Sequence, residues 1–299
     1  MKGILLVDKP AGMTSHDVVD RIRRAAQMRR VGHTGTLDPA ATGLLILCLG
    51  QATRLSEHFT GQGKVYEGTM RLGIVTHSYD LDGDVLSEHP VPELDAARIQ
   101  AVCDTFTGNI QQIPPMVSAV KVGGERLYKK ARKGETVERP PRDVVVSAFE
   151  VLEYTAPDAR VRIACSSGTY VRSLCHDVGA TIGCGAVLAS LRRIAVGHHQ
   201  IEDAAPLESL TSPAEVEQRL LAMGEALDLP VAILDAASES ALAHGNPIES
   251  SNLAGGCPIT SGWLQIKSPS GELLALGKVE TLGLDSYVHP KRVFVAGAT

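Results

Sequence analysis

Gly32–Gly43 reads GHTGTLDPAATG and runs straight into the apolar stretch Leu44–Leu49. Glycine, threonine, aspartate and proline, which punctuate or cap backbone, crowd these twelve positions, and the unbroken apolar run after them reads as a buried strand. A single carboxylate, Asp38, sits in the middle. Gly32, Gly35 and Gly43 permit positive φ or close backbone approach, while Pro39 fixes its own φ and biases Asp38 toward extended geometry. The loop is expected to hold Asp38 in one pose in front of a core strand. An Asp-Pro pair also opens turns, and on these residues alone that reading stays open.

The 299 residues, 44% hydrophobic, suffice for one large domain and a small one with a sizeable core. No apolar run reaches membrane length, and Met1–Pro10 has the form of a strand, so a cytoplasmic globular protein that does not engage membrane is expected. Six cysteines (Cys48, Cys103, Cys165, Cys175, Cys184, Cys257) are scattered without a C-x-x-C pair. Neither a zinc site nor a disulfide framework follows from them. The net charge of −5 disfavours a nucleic-acid partner as a sum, but the charge is regional. Arg21–Arg30 holds five arginines and no acid, and Lys121–Arg142 holds eight basic and three acidic residues, whereas Glu202–Gly256 holds ten acids and only Arg219 as a basic residue. A charge run is ordinarily a solvated face; two basic ones in the same half are compatible with an RNA footprint.

Gly3–Val7 reads as a strand that ends in the turn Lys9-Pro10-Ala11-Gly12. Thr14 or Ser15 then caps a helix whose apolar face is Val18, Val19, Ile22, Ala25 and Ala26. A short helix is expected over Ala52–Phe59, a strand over Lys64–Gly73 containing Tyr66, a helix over Leu94–Phe106, a basic helix over Glu125–Lys133, and neighbouring strands at Val144–Tyr154 and Ala159–Cys165. Asp80, Asp82 and Asp84 alternate like a calcium loop, but the glycine falls two places early and the twelfth position is Val91. A helix over Pro213–Met223 and a breaker at Leu229-Pro230 precede a β-rich tail, in which Trp263–Lys267 and Leu273–Glu280 flank the turn Ser268-Pro269-Ser270-Gly271.

The string GHTGTLDPxAxGLL resembles the nucleophile motif of the TruB family of tRNA pseudouridine synthases. Lys9–Ser15 (KPAGMTS) is similar to that family's KPxGxTS, and Lys64-Val65-Tyr66 to its KxY. Thr76-x-Ser78-x-Asp80-x-x-Gly83 approximates TxTxDxxG with Ser78 for the usual threonine, and Gln112–Val122 resembles QxPPxxSAxK with Val117 where an aromatic is common. Gly168–Leu174 (GTYVRSL) matches GTYIRSL almost position for position, and a further stretch ends in Leu191-Arg192-Arg193. The arrangement after Leu229, closing on Pro290–Val295, is similar to a PUA domain, a small β-rich RNA-binding module.

The resemblance implies an α+β fold. Its catalytic domain, residues 1–228, would have a mixed, largely antiparallel central sheet flanked by helices, followed by a PUA-like domain over 229–299. It implies that Asp38 is the nucleophile, that Arg172 pairs with it, that Tyr66 stacks on the base and moves its C5 proton, that Tyr170 and Leu191 line the uridine pocket, and that His33 contacts the T-loop. It casts Lys9–Ser15 as packing beneath the catalytic loop and Asp80 as structural or RNA-facing. The implied substrate is the uridine at position 55 of elongator tRNA, extruded from its loop. The inventory suits that chemistry: one fixed carboxylate does not run a two-carboxylate hydrolysis but serves as a nucleophile. Isomerisation needs no cofactor and no metal, and an adjacent arginine lowers a carboxylate's pKa and keeps it ionised. A monomer with no obligatory protein partner is expected. Two other classes remain as alternatives, an RNA-binding, tRNA-folding chaperone without catalysis and a metal-dependent nucleotide hydrolase; the second needs a ligand cluster or a G-x-x-x-x-G-K-[ST] loop, and the sequence has neither.

Overall fold

The structure is a computed structural model that describes residues 1–116, 118, 121–122, 125–126, 137–282 and 285–295. In chain order the first part consists of β1 (Gly3–Lys9), α1 (Ser15–Ala25), β2 (Val31–His33), β3 (Thr42–Leu49), α2 (Ser56–Thr60), β4 (Lys64–Leu72), β5 (Ile74–Thr76), β6 (Val85–Glu88), α3 (Ala96–Asp104) and β7 (Gly108–Gln112). It continues with β8 (Lys121–Val122), β9 (Glu125–Arg126), β10 (Arg142–Thr155), β11 (Asp158–Cys165), α4 (Val171–Ile182), β12 (Ala186–Val196), β13 (His199–Gln200), β14 (Ala205–Pro206), α5 (Pro213–Gln218) and β15 (Leu220–Leu221).

The central sheet runs β14-β1-β3-β12-β4-β11-β10-β7, with β2, β13 and β15 pairing at its side. Only β1 with β14 and β3 with β12 are parallel among its described pairs, so the sheet is mixed and largely antiparallel. Alternation along β1 and β3 explains the unbroken apolar run. Leu5, Val7, Leu45, Leu47 and Leu49 face Val18, Val19 and Ile22 of α1. Their neighbours Ile4, Leu6, Leu44, Ile46 and Cys48 pack with Phe59 of α2 and with Leu273, Leu276 and Phe294 from the C-terminal part of the chain. A third core joins Met70 and Leu72 of β4 and Val161 and Ile163 of β11 to Ile99 of α3 and Leu174 and Val178 of α4.

Local chemistry sets the element ends. Thr14, not Ser15, caps α1, accepting from the Asp17 amide while the Asp17 carboxylate accepts from the Thr14 amide at 2.8 Å. The helix expected over Pro213–Met223 stops at Gln218, because Leu220 and Leu221 pair with Leu5 and Ile4 at the sheet edge and the ladder takes their backbone groups. The basic helix expected from Glu125 also differs: Glu125 and Arg126 form a strand against Lys121 and Val122, while Lys129, Lys130, Arg132 and Lys133 lie outside the described residues. Ala52–Phe59 is a 3-10 turn, Gly50–Leu55, that leads into α2.

The C-terminal part holds β16 (Val231–Leu234), α6 (Glu239–Ala243), β17 (Ile248–Glu249), β18 (Leu253–Ala254), β19 (Gly262–Lys267), β20 (Leu273–Leu282) and β21 (Asp285–Val293). These strands form one sheet in the order β17-β21-β20-β19-β16-β18. It has its own core of Ala232, Leu234, Leu264, Ile266, Val279 and Val288, a β-rich unit of the PUA-like kind. Among the described residues no helix is long and apolar enough to cross a membrane.

Candidate active site

The loop between β2 and β3 is fixed from below by the Lys9–Ser15 turn. Lys9, fully buried, donates from Nζ to the carbonyls of Pro10 (2.9 Å), Pro39 (3.2 Å) and Ala41 (2.6 Å). The Gly12 amide also reaches the Pro39 carbonyl at 2.9 Å, and Ser15 Oγ accepts from the Leu37 amide at 2.8 Å. Asp38 itself opens a turn, its carbonyl accepting from the Ala41 amide at 3.1 Å with Pro39 next in line. The turn expected of an Asp-Pro pair is therefore present. Of the three loop glycines only Gly43 has positive φ, +101°, and there the chain approaches the Arg193 backbone too closely for a side chain.

The side chain of Asp38 points to Arg172, whose Nε lies 3.1 Å from Oδ2. Arg172 is buried in the first turn of α4, and its Nη1 holds Asp80 Oδ2 at 3.1 Å and the Ser78 carbonyl at 3.1 Å. Asp80 is in turn held by the Ser78 hydroxyl. One guanidinium thus bridges two carboxylates from different loops, and a planar fork with several donors is suited to that task.

A cavity of about 270 Å³ opens beside Asp38, lined among others by Tyr66, Tyr170, Arg172 and Leu191. Tyr66 comes from β4 and Leu191 from β12, adjacent antiparallel strands. Tyr170 precedes α4, and Gln112 clamps its backbone, donating to the Tyr170 carbonyl at 3.0 Å and accepting from its amide at 2.7 Å. His33 does not line this cavity. It ends β2, half-buried, and its Nδ1 has no hydrogen-bond partner among the described residues. Asp38, Tyr66, Tyr170, Arg172 and Leu191 are thus brought together, with His33 apart from them.

Residues to which the motifs gave no part in the chemistry also stand here. Asp80 was expected only as structural or RNA-facing, yet it shares Arg172 with Asp38; Lys64 and Arg193 line the cavity, and Gln112 positions Tyr170. Each lies within a quoted motif, which was the available signal; their partners came from distant strands.

The electrostatics correct one expectation. Removal from water pushes the Asp38 pKa above the ordinary carboxylate value of 3.8, and although Arg172 pulls it down, the negative charges of Asp80 and Asp82 push the same way as burial. Pairing therefore limits the rise without reversing it. The Asp38 side chain still keeps 46% of its surface accessible. Burial also raises the Tyr66 phenol above 10, opposed by the positive charge of Arg193. His33 is pushed down by burial and then by Arg193 and His16. The arrangement offers a fixed carboxylate, a hydroxyl-bearing ring and an apolar wall around a space of nucleoside dimensions, a composition suited to nucleophilic work on a flat polar ring.

Comparison with known proteins agrees with this geometry. The family described as "TruB family pseudouridylate synthase (N terminal domain)" matches residues 23–171, and "tRNA pseudouridylate synthase B C-terminal domain" matches 172–230. The tRNA pseudouridine synthase B of Opitutus terrae is 51% identical over 76% of this chain and 95% of that protein. The protein of the same name from Thermobifida fusca is 45% identical over 92% of this chain and 94% of its own length. Among solved structures, a Cbf5-Nop10-Gar1 complex contains a chain similar to this one with TM-score 0.77 and 28% identity, covering 99% of this chain and 85% of that one. An H/ACA RNP bound to a substrate RNA containing 2′-deoxyuridine gives TM-score 0.76 at 25% identity, over 99% of this chain and 86% of the other. The chain belongs to the TruB family of pseudouridylate synthases.

Proposed function

We propose that this protein converts uridine to pseudouridine at position 55 in the T-loop of elongator tRNA. The observation that carries the reading is the Asp38 carboxylate held 3.1 Å from the Arg172 guanidinium beside a cavity walled by Tyr66, Tyr170 and Leu191. Asp38 is the nucleophile, acting at the ribose C1′ or the uracil C6 or assisting glycal formation, and Arg172 orients it. Tyr66 stacks on the extruded base and assists loss of the C5 proton. Stacking of this kind contributes about 1–3 kcal/mol, enough to help hold a flipped base at a site built to receive it. Tyr170 and Leu191 complete the pocket, and His33, outside it, meets the loop that the base leaves.

The names of the relatives support tRNA as substrate, and the RNA-bound neighbour supports an RNA ligand for this fold. We place the catalytic domain at residues 1–228 and the PUA-like domain at 229–299. The protein acts in the cytoplasm as a monomer, with no cofactor and no obligatory protein partner. Tritium release from C5-labelled tRNA transcripts, in the presence of chelator, tests the assignment. Wild-type protein releases tritium and Asp38→Ala does not, while RNA affinity stays within about tenfold, since phosphate and loop contacts dominate binding. Release by Asp38→Ala would remove the nucleophile assignment.

A further inference from the structure

The cavity holds two buried cations that the assignment above leaves without a task. Lys64 and Arg193 both line it, and they are only 8% and 2% exposed. They stand on the adjacent strands β4 and β12. Lys64 Nζ donates to the carbonyls of Thr60 (2.9 Å) and Gln62 (2.6 Å), while Arg193 donates to those of Leu44 (2.7 Å) and Gly35 (3.1 Å) and acts electrostatically on the Tyr66 hydroxyl. Among the described residues, both Asp38 and Asp80 pair with Arg172, and neither pairs with Lys64 or Arg193. Carbonyl dipoles take some of the donors but leave two positive charges in a poorly solvated space, where they act strongly on any negative charge that enters.

Resting on the pseudouridine synthase reading, two negative charges come into question, a backbone phosphate and the uracil ring. When the C1′–N1 bond breaks, its electron pair stays with the ring and spreads over N1, O2 and O4. C5 then bonds to C1′, C5 gives up its proton and N1 takes one, so atoms and charge balance. A phosphate is charged throughout and belongs to the RNA's exterior, whereas Lys64 and Arg193 are buried around the tyrosine assigned to the base. We propose that Lys64 and Arg193 stabilise the negative charge that the uracil ring carries between detachment and reattachment. Charge met only at that stage accelerates the reaction without tightening tRNA binding.

The proposal has a pH signature. Burial, and then Arg193 on β12, push the Lys64 pKa down to about 8, with Cys165 on β11 opposing. The other titratable neighbours ionise higher, Cys165 at about 11 and Tyr66 above 10. The ammonium is therefore the group lost first as pH rises.

Single-turnover tritium release and tRNA affinity, measured from pH 6 to 10 for wild type, Lys64→Met and Lys64→Arg, test this. Lys64→Met is expected to slow release at neutral pH by about tenfold or more while Kd stays within about threefold. Wild type loses rate above about pH 8, and Lys64→Arg, whose charge persists, keeps its rate there. Should Lys64→Met not fold, the alkaline limb of Lys64→Arg decides alone. Unchanged release by Lys64→Met, or an alkaline limb retained by Lys64→Arg, overturns the proposal. So does a raised Kd with unchanged rate and a salt slope lower by about one, the mark of a phosphate contact. Wild-type protein that releases no tritium fails the parent reading instead, which keeps the two failures apart.

Discussion

Asp80 and Arg172 meet at 3.1 Å through Oδ2 and Nη1, a different nitrogen from the Nε that faces Asp38. The guanidinium is therefore held from a second side by a carboxylate anchored on the Ser78 hydroxyl. Position and charge pull in different directions here. Asp80 steadies the arginine that lowers the pKa of Asp38, while its own charge raises that pKa.

Asp80→Asn separates the two effects. The rate at neutral pH is expected to fall by about tenfold, because Arg172 loses a charged hydrogen bond of about 1.5–3 kcal/mol that fixes its plane. The acid limb of the rate profile is expected to move to lower pH, since a charge that favours protonation of Asp38 is gone. A profile of single-turnover rate against pH reads both. An acid limb that stays in place or moves upward contradicts the account.

Asp38→Asn carries a prediction about stability. The folded-state pKa of Asp38 is raised, so its stabilising contribution is present at low pH and is lost as pH rises through that value. At neutral pH the fold bears an ionised carboxylate that partial burial and the Asp80 and Asp82 charges disfavour. The asparagine variant is expected to be inactive yet to melt higher than wild type at pH 7, with the difference shrinking as pH falls toward 4. Thermal unfolding at both pH values measures it, and a variant that melts lower at pH 7 refutes the direction.

Lys9→Met tests whether the loop is held from below. The substitution leaves the carbonyls of Pro39 and Ala41, both within the Asp38 turn, without this donor. Removing a donor from buried acceptors costs about 1–3 kcal/mol each. Stability is expected to drop by about 2–4 kcal/mol, and the rate by about a hundredfold as Asp38 loses its pose. Denaturant titration with tritium release distinguishes this from a purely structural effect, in which the rate per folded molecule would be unchanged.

How much of this could be read in advance differs by kind of contact. The buried strand Leu44–Leu49 and the capped helix after Thr14 were legible because periodicity and capping are local. The end of α5 at Gln218 was not, since it depends on Leu220 and Leu221 finding the edge of β1, more than two hundred residues earlier in the chain. The motif residues could be named one by one, and the resemblance already paired Arg172 with Asp38, but the second partner of that arginine could not be named. Asp80 shares Arg172 with Asp38 only because three separate segments converge. The direction of the Asp38 pKa is not legible for the same reason: the arginine is visible in a motif, whereas burial and the Asp80 and Asp82 charges exist only in the fold.

Gly43 closes the loop onto the sheet, and its substitution tests that junction directly. It has φ of +101°, and a Cβ there would stand 2.3 Å from the Arg193 carbonyl oxygen and 2.8 Å from the Arg193 amide nitrogen. Backbone on the parallel partner strand cannot rotate aside as a side chain would. Gly43→Ala combines strain at positive φ with a backbone clash, together about 3 kcal/mol or more. Gly12 is the control, with φ of +84° and open space around its missing Cβ, so Gly12→Ala is expected to lose only about 1 kcal/mol. Thermal melts should place Gly43→Ala well below Gly12→Ala, because only the first must part β3 from β12. Equal melting temperatures would mean that strain at positive φ, not the approach of Arg193, is what requires glycine at position 43.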